Sequence, residues 1–85
     1  MILLQEINVR GCVDCKRFEK WWESAKAGFQ NVTLEQIDAT SPKGQEIVLK
    51  HSIMASPGII VNGELFSAGG VNTGALTQKL KELGG

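Results

Sequence analysis

Apolar side chains at Ile2, Leu3, Leu4, Ile7 and Val9 occupy both odd and even positions. That pattern predicts a strand over residues 2–9 that is covered on both faces. Gly11 breaks it. Beyond Gly11 the spacing lengthens. Cys15, Phe18, Trp22 and Ala25 recur at helical intervals, and Lys16, Arg17, Glu19, Lys20 and Glu23 fall off the stripe. This predicts an amphipathic helix over residues 12–27, with Gly28 as its stop. Trp22 lies at the centre of the stripe and is expected in the core. Trp21 lies at its margin, as packing or as a contact patch for a partner.

Residues 31–38 read as a second strand, with Val32 and Leu34 alternating and Ile37 near its end. Ser41-Pro42 is a helix start, with Ser as N-cap and Pro at the first helical position. This helix runs to about Lys50, although Gly44 inside it lowers the propensity. Asn62-Gly63 separates the apolar runs 58–61 and 64–67, a hairpin signal, because a type I′ turn needs positive φ at both central residues. Gly69-Gly70 marks another turn. Asn72 or Thr73 can cap a last helix with Leu76, Leu80 and Leu83 on one face, and Gly84-Gly85 reads as a frayed tail.

The predicted order is β-α-β-α-β-β-α. A βαβ unit requires parallel strands and a right-handed crossover. The hairpin adds two antiparallel strands. The expected fold is therefore α/β, a four-stranded mixed sheet with helices on both faces.

With 85 residues the chain is expected to be one small domain, residues 1–85. Nine Lys and Arg balance nine Asp and Glu, so no net charge draws it to nucleic acid or an acidic membrane. No apolar stretch reaches transmembrane length. MILLQEINVR lacks the basic region, apolar core and cleavage site of a signal peptide. These features suggest a cytoplasmic protein, expected to be monomeric, in a compartment where a permanent structural disulfide is uncommon.

The only two cysteines, Cys12 and Cys15, stand in Arg10-Gly11-Cys12-Val13-Asp14-Cys15-Lys16-Arg17. Three readings are open. A structural metal site needs four ligands, and two cysteines with the single His51 fall short of that within one chain, though a dimer could complete a zinc or iron–sulfur site. Two inert core cysteines would need no exposure. The third reading is a redox pair. A C-x-x-C at the start of the first helix of a βαβ unit brings both sulfurs to one side, within disulfide reach. Cys12 would sit where free backbone N–H groups and the helix dipole favour a thiolate. Cys15, one turn further in, would be the resolving thiol. Arg10, Lys16 and Arg17 should favour the Cys12 thiolate, and Asp14 should oppose it.

The order of elements, the C-x-x-C and Ala55-Ser56-Pro57 about forty residues later together resemble the thioredoxin superfamily in its short, glutaredoxin-like form. The resemblance covers nearly the whole chain. It implies a thiol–disulfide oxidoreductase with Cys12 as nucleophile and Cys15 as resolving thiol. It also implies a cis Pro57 facing them, with the backbone of Ser56 pairing with an extended substrate segment. The substrate would be a protein or small-molecule disulfide, with a disulfide-bearing client protein as the expected partner. The reductant would be glutathione or a reductase, and no cofactor beyond the cysteine pair is implied.

The chain departs from the family at several points. Val13-Asp14 replaces the Gly-Pro of thioredoxins and the Pro-Tyr of glutaredoxins. Ala55 stands where glutaredoxins carry Thr. Gly69-Gly70 is followed by Val71-Asn72-Thr73 rather than by an acidic residue that holds glutathione. Backbone N–H groups at Gly69 and Gly70 remain candidates for positioning a substrate carboxylate. Small archaeal and bacterial thioredoxin-like proteins with Gly-Cys-x-x-Cys are similar over more of the pattern.

Glu6 lies six residues before Cys12, a spacing at which thioredoxins place a buried Asp. By that resemblance it is a candidate general base for Cys15, the alternative being a strand-end carboxylate in water. His51 is expected on the far side of the sheet from the first helix, in a surface or packing role. A redox-silent adaptor with the same fold is the rival of a different kind.

Overall fold

The computed structural model describes all of residues 1–85. Strand β1 covers Ile2–Asn8, helix α1 Val13–Ala25, strand β2 Val32–Asp38 and helix α2 Pro42–His51. Strands β3 (Gly58–Val61) and β4 (Glu64–Ala68) form the hairpin, and α3 (Thr73–Glu82) closes the fold. The sheet order is β2-β1-β3-β4. β1 pairs parallel with β2 and antiparallel with β3, which pairs antiparallel with β4.

The even positions of β1 and β2 face α1 and α3. Ile2, Leu4, Ile59 and Val61 meet Phe18, Trp22, Phe29, Leu76 and Leu80 in the main core. The odd positions face α2, where Ile7, Ile37 and Ile60 pack with Ile47, Val48 and Ile53. β3 is buried along its whole length because both layers cover it. Trp21 packs half-buried at the edge of the aromatic group, between Phe18, Trp22 and Phe29. Its role is packing margin.

The turns follow the sequence closely. Asn62 and Gly63 both have positive φ, as a type I′ turn demands. Asn62 also exchanges two hydrogen bonds with Leu3, donating from its N–H and accepting at Oδ1, both at 2.9 Å. Ser41 caps α2 by accepting from the Gly44 N–H, and Asn72 caps α3 by accepting from Ala75.

Several boundaries differ from expectation. β1 ends at Asn8, and Val9 enters the loop. α1 ends at Ala25 and tightens into a 3-10 turn over Lys26–Gly28, which swings Phe29 back to stack on Trp22. His51 is the last residue of α2 rather than a residue beyond it. Leu83 leaves the buried face, because α3 ends before it and it is 42% exposed as the C-cap.

The tail is not frayed. Gly84 takes φ +94°, its N–H donates to Lys81 O, and the Gly85 N–H donates to Leu80 O at 2.8 Å. This is a Schellman motif, which only a residue free of Cβ closes without strain.

Gly44 has a packing reason. A Cβ there would fall onto the backbone carbonyl of Asp38. The close approach of α2 to the end of β2 requires glycine and outweighs its poor propensity.

Candidate active site: the Cys12–Cys15 pair

Gly11, at φ +79°, turns the chain out of β1 and lets the Cys12 N–H donate to Val9 O at 3.1 Å. Cys12 is thereby placed as the N-cap of α1. Its sulfur accepts from the Cys15 backbone N–H at 3.0 Å and from the Ser56 hydroxyl at 3.2 Å. Cys12 and Cys15 form a disulfide with Cα atoms 5.2 Å apart. Cys12 is half-buried and Cys15 is 2% exposed. An incoming sulfur therefore reaches Cys12 first.

The Ser56–Pro57 peptide is cis, and Pro57 is buried. The hydroxyl of Ser56, rather than its backbone alone, touches Cys12. Its donor adds to that of the helix N-terminus, and both favour negative charge on the sulfur.

Gly69 and Gly70 separate. The Gly69 N–H donates to Pro57 O at 3.1 Å and is not free for a substrate. A Cβ at Gly69 would sit 3.4 Å from the Ala55 Cβ, so Gly69 backs the proline loop. Gly70 lines a different, smaller cleft with Asp14, Arg17 and Thr73.

Of the charged neighbours, Arg10 and Lys16 line an open cleft of about 420 Å³ with Cys12 and Cys15. Asp14 pairs with Arg17 at 3.6 Å, a surface contact worth little in stability but one that offsets the charge of Asp14 beside Cys12. Asp38 closes the far side of the cleft. Donors from the Thr40 hydroxyl and N–H hold its carboxyl below the ordinary range, and the charge of Arg10 adds to the effect.

Glu6 is fully buried on the face of β1 covered by α1, in line with Ile2 and Leu4. Its Oε1 accepts from Gln36 Nε2 at 3.0 Å. Burial, first, pushes its pKa up to about 8, with the nearby Glu19 carboxyl adding to the rise and the Gln36 donor opposing it. The strand-end alternative is thus excluded. Glu19, the nearby acid, stands on α1 one turn after Cys15.

The sequence reading missed Glu19, Gln36 and Asp38. Glu19 looked like a solvated off-stripe residue, yet it is half-buried and lines the cleft. The available signal was its spacing of four from Cys15. His51 lies on α2, across the sheet. No three His, Cys, Asp or Glu side chains converge in a metal-binding group. No helix is long and apolar enough to cross a membrane.

A second cleft, about 220 Å³, opens on the other side of Ser56 and is lined by Ile7, Val9, Val48, Ile53 and Met54. Met54 is 93% exposed there.

A family model described as thioredoxin domain matches residues 5–82. Among solved structures, a thioredoxin of Plasmodium falciparum is similar at 21% identity and TM-score 0.70, over 95% of this chain and 80% of that one. The oxidised mitochondrial thioredoxin 3 of Saccharomyces cerevisiae is similar at 19% identity and TM-score 0.74, over 95% and 77%. The thioredoxin of Fasciola hepatica is similar at 17% and TM-score 0.73, over 95% and 79%. No curated protein matches the sequence.

Proposed function

The chain belongs to the thioredoxin-domain family, and from that premise we propose that it is a dithiol–disulfide oxidoreductase that reduces client protein disulfides through Cys12. The single observation that carries this reading is the Cys12 sulfur itself. It caps α1 and takes donors from Cys15 N–H and Ser56 Oγ, an environment built for a thiolate.

The Cys12 thiolate attacks one sulfur of the client disulfide, and the other client sulfur leaves as a thiolate. Cys15 then loses its proton to Glu6, attacks the Cys12 sulfur and releases the client. The protein ends as the Cys12–Cys15 disulfide, and the client has gained two electrons. A donor dithiol reverses these steps on the protein, and Glu6 returns its proton to the leaving Cys15 thiolate. Ser56 and Pro57 hold the client segment, with Gly69 supporting that loop. Arg10 and Lys16 favour the thiolate.

The apolar cleft beside Ser56 suits a side chain flanking a client cysteine, which favours a protein over glutathione as the disulfide partner. Asn72 already takes one N–H of the α3 terminus, and the Gly69 N–H is engaged. Both points also weigh against glutathione and toward a reductase as donor. The protein acts as a cytoplasmic monomer in this reading.

The test is dithiol-driven reduction of a protein disulfide. Wild type should accelerate it and Cys12→Ser should abolish the acceleration. Equal rates in wild type, Cys12→Ser and Cys15→Ser would end the proposal.

A further inference from the structure

Met54 stands between two anchors. α2 stops at Ser52, which takes φ +54°, and the Ile53 N–H donates to Val48 O at 3.0 Å. Ile53 then packs against Ile7, Ile37 and Ile60. Three residues beyond Met54, Pro57 is buried. The loop is held at both ends, yet Met54 between them is 93% exposed. Packing therefore gives this large apolar side chain no role. Its place is on the apolar cleft of about 220 Å³, where Ser56 is the one polar lining residue. The Ser56 hydroxyl is already committed to Cys12 Sγ at 3.2 Å, so the cleft offers no free side-chain donor.

The only sulfur side chains are two cysteines and two methionines. In the oxidised protein Cys12 and Cys15 are paired and no cysteine is free. The sulfurs left open to an oxidant are the thioethers of Met1 and Met54, which are equally exposed. Met1 precedes β1, whose far end leads to Cys12, and seven residues of strand put about 20 Å between the two. Met54 lies two residues from Ser56.

We propose that Met54 is an oxidation site that regulates the Cys12 cleft: a peroxide converts its thioether to the sulfoxide, and the sulfoxide closes the apolar cleft to a client side chain. The closure rests on the oxidoreductase reading; the modification does not.

The step balances. The Met54 sulfur gives an electron pair to one oxygen of hydrogen peroxide, the O–O bond breaks, and the second oxygen leaves as water. Sulfur is oxidised by two electrons and the peroxide is reduced. The product is polar where the thioether was apolar, and methionine sulfoxide reductases reverse it. A client side chain seated in the cleft would strip water from the new oxygen with no side-chain donor to replace it, which opposes binding. A small disulfide with nothing to place in the cleft escapes this penalty.

The test treats the disulfide form with hydrogen peroxide while the cysteines are protected. Peptide mass mapping should find one added oxygen on Met54, another on Met1 and none on Cys12 or Cys15. Dithiol-driven reduction is then measured with insulin as the protein disulfide and bis(2-hydroxyethyl) disulfide as the small one. Insulin turnover should fall by about threefold or more, and the small disulfide should be reduced as before. Peroxide-treated Met54→Leu, which still carries oxidised Met1, should match untreated Met54→Leu on insulin. Met54→Gln, polar without any oxidant, should reduce insulin more slowly than Met54→Leu.

The proposal is overturned if Met54 takes up no oxygen, if both disulfides lose rate equally, or if treated Met54→Leu loses rate as wild type does. Untreated protein that reduces neither disulfide would sink the redox reading. Untreated protein that is active and keeps its insulin rate once Met54 is oxidised would sink this inference alone.

Discussion

Glu6→Gln mimics the protonated acid. Its amide keeps an oxygen to accept from Gln36 and adds an N–H donor where Oε2 now has none. Glu6 is raised from 4.5 to about 8 in the folded protein. Between those values the folded state binds a proton that the unfolded chain has released. Stability of wild type must therefore fall as pH rises through this window.

From 4.5 to pH 7 is 2.5 units, which at about 1.4 kcal/mol per unit gives a loss of about 3 kcal/mol by neutral pH. Glu6→Gln carries no such term. Urea unfolding of the oxidised proteins at several pH values reads the difference directly. The variant should gain about 3 kcal/mol on wild type between pH 4.5 and pH 7. Asp38 and Glu35 are held below their ordinary values by Thr40 and Lys43. Their contribution disappears only as pH drops through the acid range, and it is common to both proteins. Parallel stability curves across pH 4.5 to 8 would refute the burial argument for Glu6.

Two further substitutions address the site and its scaffold. Ser56→Ala removes the hydroxyl that donates to Cys12 Sγ. With that donor lost, the reduced Cys12 should be less ionised and attack more slowly at neutral pH, read by ultraviolet absorbance of the thiolate across a pH series; an unchanged thiolate profile contradicts the role. Gly44→Ala drives a methyl into the Asp38 carbonyl and should cost about 3 kcal/mol in urea unfolding, whereas Gly28→Ala, which meets open space, should stay within about 0.5 kcal/mol.

The fold was legible because its punctuation is local. Ser41-Pro42, Asn62-Gly63 and Asn72 are instructions that a chain obeys within a few residues, and hydrophobic period separates α1 from the strands. The placement of Cys12 at the start of α1 followed from the same local logic, and the structure sets it one residue earlier, as the N-cap. What escaped was set by long-range contact. Gly44 is fixed by a carbonyl on β2. The Gly84-Gly85 tail closes on Leu80 and Lys81 through a motif that sequence alone confuses with fraying. Glu19 looked solvated because a polar residue off an apolar stripe normally is. Only the packing of α1 on the sheet brings it half-buried to the cleft beside Cys12 and Cys15. Ser56 shows the same limit: its place before Pro57 suggested a backbone role, and the fold brings its hydroxyl to a sulfur 44 residues away.

The most direct test of the central claim is intact-mass analysis of Cys15→Ser after incubation with a disulfide-bearing client. The account predicts a stable mixed disulfide, with peptide mapping assigning the linkage to Cys12. Absence of an adduct, or one formed equally well by a Cys12→Ser protein through Cys15, would contradict it.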